Sequence, residues 1–303
     1  MGVFLNDDFV ALDYGGVEGW HDISMVGQVP AEATGIIMIA ASTLSTPLFK
    51  WRPLGSVKDY QSPAYTVFVE LSGNQEFGLN ISDDRMYMYI VGWTTDNTFK
   101  SIDFEEIVGV INNTWTTIDL SLILPAEATH VYVHQLPAGN IHDFGLRKPG
   151  SVDAYFSGSI ASTGNMLVAE LDDQRHIEIY GPDTSTYHIL GYFTDNIVTG
   201  VGPATPLTVG TWTNAETTTN DALFVITSEG AGGSARLGYR PEGSTKSILS
   251  TKTGNGAVLC AGKVGTIQGY AQYDPFPIVR IAEFISEVPP VKKPNPLFFG
   301  QDF

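Results

Sequence analysis

The chain has 303 residues, 43% of them hydrophobic and only 16% charged, with 33 acidic against 16 basic side chains and a formal net charge of −17. That length accommodates two or three domains with cores of their own, and the composition excludes a disordered chain or a charge-rich coiled coil. An acidic excess without any basic stripe excludes electrostatic binding to nucleic acid, disfavours an anionic membrane surface and suits a soluble particle.

The first stretch, MGVFLNDDFVALDYGG, carries neither a basic n-region nor an apolar h-region. It reads as the start of a chain without a secretory signal. No run reaches the roughly 18 apolar residues of a membrane span. The single cysteine, Cys260 in AVLCAG, excludes an internal disulfide and a cysteine-based metal site, and reads as a small buried apolar residue.

Following the chain reveals an internal repeat. FVALDYGGVEGW (9–20) returns as FEEIVGVINNTW (104–115), and VPAEATGIIMIAAS (29–42) returns as LPAEATHVYVHQL (124–136). Phe9 and Phe104, Trp20 and Trp115, Pro30 and Pro125, and Arg52 and Arg147 all keep a step of 95 residues. A looser third copy places Trp212 97 residues after Trp115 and Arg240 93 after Arg147. The segments predict three modules, 5–99, 100–198 and 199–288, followed by a Pro-rich extended tail, 289–303.

Each module reads as strands. THVYVHQL alternates Val131 and Val133 with His130, Tyr132 and His134, the pattern of a half-buried strand. GIIMIAAS and YMYIVGW are continuous apolar runs of strand length, and SGN, TGN, PAGN and TDN mark turns. Seven or eight short strands in about 95 residues predict an all-β chain of three tandem antiparallel β-sandwich modules, either jelly-roll-like or immunoglobulin-like.

One motif recurs in all three copies: WRPLGS (51–56), LRKPGS (146–151) and YRPEGS (239–244). Arg52, Arg147 and Arg240 could each bind an anion or a sugar. The alternative is architectural: an arginine that ends a strand, lays its stem over an aromatic ring and is followed by a tight turn at Gly55, Gly150 and Gly243. The near-constant spacing from Trp20, Trp115 and Trp212 favours the architectural reading, with the tryptophans as large core anchors. Gly92 and Gly191, in VGW and LGY, read as sites of a bulge or a close strand approach.

Chemistry is thinly represented. Asp83–Asp84, Glu105–Glu106 and Asp172–Asp173 are adjacent acids, which point to opposite faces on a strand and make poor glycosidase pairs. His130 and His134 would stand about 13 Å apart along a strand, too far to share one zinc ion. There is no G-x-S-x-G elbow, P-loop or H-E-x-x-H. Asp96 and Asp195, each before an asparagine, are weak calcium candidates better read as Asx turns. Tyr60, Tyr155, Trp93 and Tyr192 lie near loops or strand ends and are the candidate sugar-stacking rings. Phe298, Phe299 and Phe303 of the tail are candidates for docking onto a neighbouring module or subunit.

The pattern of W, then P-A-x-A-T before an apolar strand, then R-x-x-G-S, then [V/L]-G-[W/Y], resembles the tandem β-sandwich modules of phage virion, tail-associated and bacterial surface proteins. The resemblance carries no catalytic signature. It implies a non-enzymatic structural or adhesive virion protein (a capsid decoration, spike or tail-fibre component) without a cofactor, homo-oligomeric and partnered by other virion subunits. A multivalent carbohydrate-binding protein, directed at a cell-surface glycan, is the alternative, and a polysaccharide-acting enzyme a distant third.

Overall fold

In a computed structural model, the described residues are 2–12, 18–42, 49–58, 60–62, 66–81, 86–96, 98–136, 142–152, 157–159, 165–194, 197–199, 205–206, 208–218, 222–228, 237–245, 257–262, 265–271 and 277–285. Among them there is no helix; every element is a strand. The β-rich composition and dense turn signals thus lead where the sequence pointed, to an all-β chain.

The first group of strands is β1 (Gly2–Ala11), β2 (Gly19–Ser24), β3 (Ala33–Ser42), β4 (Phe49–Pro53), β5 (Tyr60–Ser62), β6 (Thr66–Glu70), β7 (Glu76–Ile81) and β8 (Met86–Thr95). The second is β9 (Phe99–Ile107), β10 (Thr116–Asp119), β11 (His130–Leu136), β12 (His142–Arg147), β13 (Ser157–Ser159), β14 (Asn165–Glu170), β15 (His176–Tyr180) and β16 (Thr186–Phe193). The third is β17 (Ile197–Thr199), β18 (Thr205–Pro206), β19 (Thr213–Thr218), β20 (Ala222–Ser228), β21 (Leu237–Pro241), β22 (Ala257–Gly262), β23 (Gly265–Ala271) and β24 (Pro277–Ile285).

Pairing is antiparallel throughout these strands, and its order recurs. The first group forms sheets β1-β8-β3-β6 and β2-β7-β4-β5, and the second forms β9-β16-β11-β14 and β10-β15-β12-β13. The third forms β17-β24-β20-β22, with β18 also on β24, and β19-β23-β21. In the first two groups, eight strands that distribute over two four-stranded sheets in this order make a jelly roll, which decides between the two sandwich topologies there, and the described strands of the third follow the same order in part. An immunoglobulin sandwich would divide its strands ABED and CFG.

The bulge expected at the glycines is present. Pairing skips one residue between Ile90 and Gly92, between Ile189 and Gly191, and between Arg280 and Ala282. At Gly191 a Cβ would stand 2.4 Å from the Lys100 carbonyl oxygen and 2.6 Å from the Phe99 ring, so the close approach demands glycine there.

The groups touch in a cycle. β6 and β3 lie against β9, β14 lies against β22 and β24, and β22 in turn lies against β1, β6 and β8. Modules one, two and three therefore each contact both others, as a closed set. At the first junction Phe68 of β6 inserts among rings of the second group, 5.4 Å from Phe99, 5.6 Å from Tyr132 and 5.0 Å from Phe193. Glu70 accepts bonds from Lys100 Nζ and Ser101 N, both at 2.9 Å. Ser56 Oγ donates to Asp103 Oδ1 at 2.6 Å, and Lys58 Nζ donates to the Asp103 and Phe104 carbonyls.

This closure corrects the reading of β11. Its alternation predicts one solvated face, yet every residue from His130 to Gln135 is buried. The outward row His130, Tyr132, His134 is covered because the outer face of its sheet is a module junction, with Phe68 on Tyr132.

Candidate functional site: the arginine–tryptophan stack of each module

The site with a counterpart in every module begins in local sequence. Arg52, Arg147 and Arg240 stand near the ends of β4, β12 and β21, and each is followed by the turn carrying Gly55, Gly150 or Gly243. These glycines have φ of 89°, 79° and 85°, the left-handed region that side chains avoid. Ser56 N donates to the Pro53 carbonyl and Ser151 N to the Lys148 carbonyl, both at 3.1 Å, closing a turn with glycine at its third position. Arg-x-x-Gly-Ser is the sequence of a strand end plus such a turn.

The turn fixes where each guanidinium goes. Arg52 Cζ lies 3.8 Å from the centre of the Trp20 ring, Arg147 Cζ 3.9 Å from Trp115, and Arg240 Cζ 4.1 Å from Trp212. A planar cation over an indole face at this distance is a cation–π contact of about 0.5–1 kcal/mol at an exposed site. The tryptophans are half-buried on the outward face of the sheet, which corrects the expectation of core anchors. The large hydrophobic Trp51, 3% exposed, takes the buried position instead.

A third residue completes each cluster from the neighbouring strand. Arg147 pairs across the sheet with Glu178, Arg240 with Gln268 and Arg52 with Gly78. Arg147 Nε donates to Glu178 Oε2 at 2.6 Å, and Arg240 Nε to Gln268 Oε1 at 2.9 Å. At Gly78 a Cβ would meet Arg52 Cγ at 3.0 Å and Trp20 Cζ3 at 3.4 Å, so the stack itself occupies that space. Second aromatic rings adjoin in two modules: Tyr180 lies 5.7 Å from Trp115 and Tyr270 5.4 Å from Trp212. Each guanidinium is thus held by a π face, and those of Arg147 and Arg240 also by the acceptors Glu178 and Gln268.

The remaining candidates scatter. Trp93 on β8 and Tyr192 on β16 are half-buried against the core in different modules, and do not gather with each other. Burial raises the Tyr192 hydroxyl above the usual tyrosine range, with Glu127 and Glu70 adding to the effect. Tyr60 begins β5, but its side chain lies outside the described residues, as does all of Tyr155. Phe298, Phe299, Phe303, Asp195 and the pair Asp83–Asp84 lie outside them too, and the side chain of Cys260, whose backbone is in β22, is likewise not described. Asp96 is exposed at the end of β8, and Thr95 Oγ1 donates to its Oδ2 at 3.5 Å. Among the described residues no group of three or more His, Cys, Asp or Glu could hold a metal ion.

The sequence missed the partners Glu178, Gln268, Tyr180 and Tyr270. Their signal was weak but present, since HIEIY (176–180) and TIQGY (266–270) both end on tyrosine with Glu or Gln two residues earlier.

No family model and no curated protein matches the chain. Among solved structures, it is similar to a chain of "Life in the extremes: atomic structure of Sulfolobus Turreted Icosahedral Virus", at 9% identity over 94% of this chain and 91% of that one, with a TM-score of 0.20. Among the described residues no helix is long and apolar enough to cross a membrane.

Proposed function

We propose that the chain is a non-enzymatic structural protein of a virion, a capsid decoration, spike or tail-fibre component that assembles with other virion subunits, including further copies of itself. The observation that carries this reading is one jelly-roll strand order, complete in two modules and followed in part by the described strands of the third, in a chain whose modules contact one another in a cycle. Jelly rolls build viral capsid and lectin domains. A single chain that carries several such modules in mutual contact offers repeated outer surfaces, suited to a symmetric assembly. The three modules are best read as copies of one ancestral unit.

The test is mass spectrometry of density-gradient-purified virus particles from the source. Stoichiometric recovery of the chain with particles is expected, its copy number separating a capsid-wide decoration from a spike or tail part. Its absence from particles would sink the proposal.

A second reading, multivalent carbohydrate binding, is favoured by one observation. The half-buried pairs Trp115–Tyr180 and Trp212–Tyr270 lie on outward sheet faces beside Glu178 and Gln268. Stacking rings flanked by planar polar groups suit a sugar, and repetition would add avidity. Millimolar glycan binding lost in both Trp115→Ala and Trp212→Ala is its expected sign; unchanged binding removes these rings from the site.

A further inference from the structure

We propose that His134 and His188 form a cross-strand clip for a divalent transition-metal ion of the class that imidazole binds, with zinc as the probe. His134 of β11 and His188 of β16 stand directly opposite each other in the antiparallel register. Opposed side chains have Cβ atoms about 4.5–5.5 Å apart, which lets one nitrogen from each ring reach a shared ion at about 2.0–2.1 Å.

Four observations converge on this pair. His134 is 0% exposed, and neither of its ring nitrogens has a hydrogen-bond partner; the Nδ1 of His188 is likewise buried and unpartnered. Buried polar groups left unsatisfied forfeit their hydration without compensation, so a ligand for them has a physical rationale. The repeated template does not call for imidazoles here: the corresponding cross-strand pair is Ile39 with Tyr89 in the first module and Thr227 with Val279 in the third. Finally, the Phe104 ring lies over both, 6.2 Å from His134 and 5.3 Å from His188, on a backbone with φ of 51°. An aromatic lid on a left-handed residue fixes the two rings under one cover.

The charged surroundings are mixed. Glu106 of β9 stands opposite His188 on its other side and is exposed. Lys58 reaches the Phe104 carbonyl from the first module. Burial, with His188 beside it, pushes the His134 pKa down to about 3, so the ring is neutral near pH 7, the form that ligates. The clip supplies two protein ligands, and the remaining coordination positions fall to water.

The test uses the full chain, stripped with chelator and titrated with zinc chloride near neutral pH by calorimetry and thermal melting. One ion per chain, at micromolar affinity and with a raised Tm, is expected. His188→Tyr and His134→Ile place the first module's residues in the second, so both are built to fold; each should weaken the binding at least tenfold. No uptake by the unaltered chain, or uptake that both variants leave unchanged, overturns the proposal and assigns the buried nitrogens to water.

Discussion

At the scale of the residue, the three arginines are explained by what each one touches. In Arg147 the guanidinium gains a π face and a carboxylate, a half-buried ion pair with side chains 18% and 17% exposed. A cation–π contact of about 0.5–1 kcal/mol and an ion pair of similar size predict that Arg147→Ala lowers unfolding stability by about 1–2 kcal/mol in urea denaturation. Glu178→Gln, which copies the Gln268 arrangement of the third module, should change stability by less than about 0.5 kcal/mol. If the glutamine variant falls as far as the alanine variant, charge rather than template geometry holds the cluster.

A second residue sets an alkaline limit. Tyr187 is 1% exposed, and its hydroxyl donates to the Pro182 carbonyl at 2.8 Å. Burial raises its pKa from 10.0 to about 12. A raised acid pKa means that the folded state holds the proton more tightly, so this stability is complete below pH 10 and fades as pH climbs through about 12. The loss is of the order of 2–3 kcal/mol. Denaturant melts at pH 9 and pH 12 should show the fall in the unaltered chain and a smaller one in Tyr187→Phe; equal falls would place the alkaline sensitivity elsewhere.

At the scale of the element, the junction strand β6 matters more than its length suggests. Its Phe68 is 2% exposed and contacts Phe99, Tyr132 and Phe193 across the module boundary, the last edge-on at 85°. Truncating a buried phenylalanine costs about 3–5 kcal/mol. Phe68→Ala should therefore destabilise the chain by that much. It should also speed hydrogen exchange in β9 and β11, strands of the other module, as well as in β6. Faster exchange in β6 alone would show that the junction is not a shared core.

How much of this the sequence showed also depends on the element. The strand character of GIIMIAAS, the turn after each arginine and the bulge at Gly92 and Gly191 were legible, because each is a local matter of φ, alternation or covering. Jelly roll against immunoglobulin sandwich was not, because β1 pairs with β8 and β3 with β6, and pairing across such separations leaves no mark within either strand. β11 was misjudged for the same reason, since what buries His134 comes from outside its strand. The tryptophans were misplaced because a large aromatic has the same sequence signature in a core as under a guanidinium on a sheet's outer face. Residue spacing showed that Trp20 and Arg52 belong together, but not on which side of the sheet.

At the scale of the whole molecule, the central claim is that the three groups of strands, two of them full jelly rolls, close on one another. Contacts between β22 and β1, which return from the third module to the first, distinguish a ring from a string of beads. Small-angle X-ray scattering of the purified monomer tests this most directly. A compact chain of this length has a radius of gyration of about 19 Å, and the closed arrangement predicts a value near it. Three modules of about 13 Å each, set in a line about 30 Å apart, would give roughly 28 Å. A monomer measuring close to that larger value would contradict the ring, and with it the closed arrangement on which the proposed virion role rests.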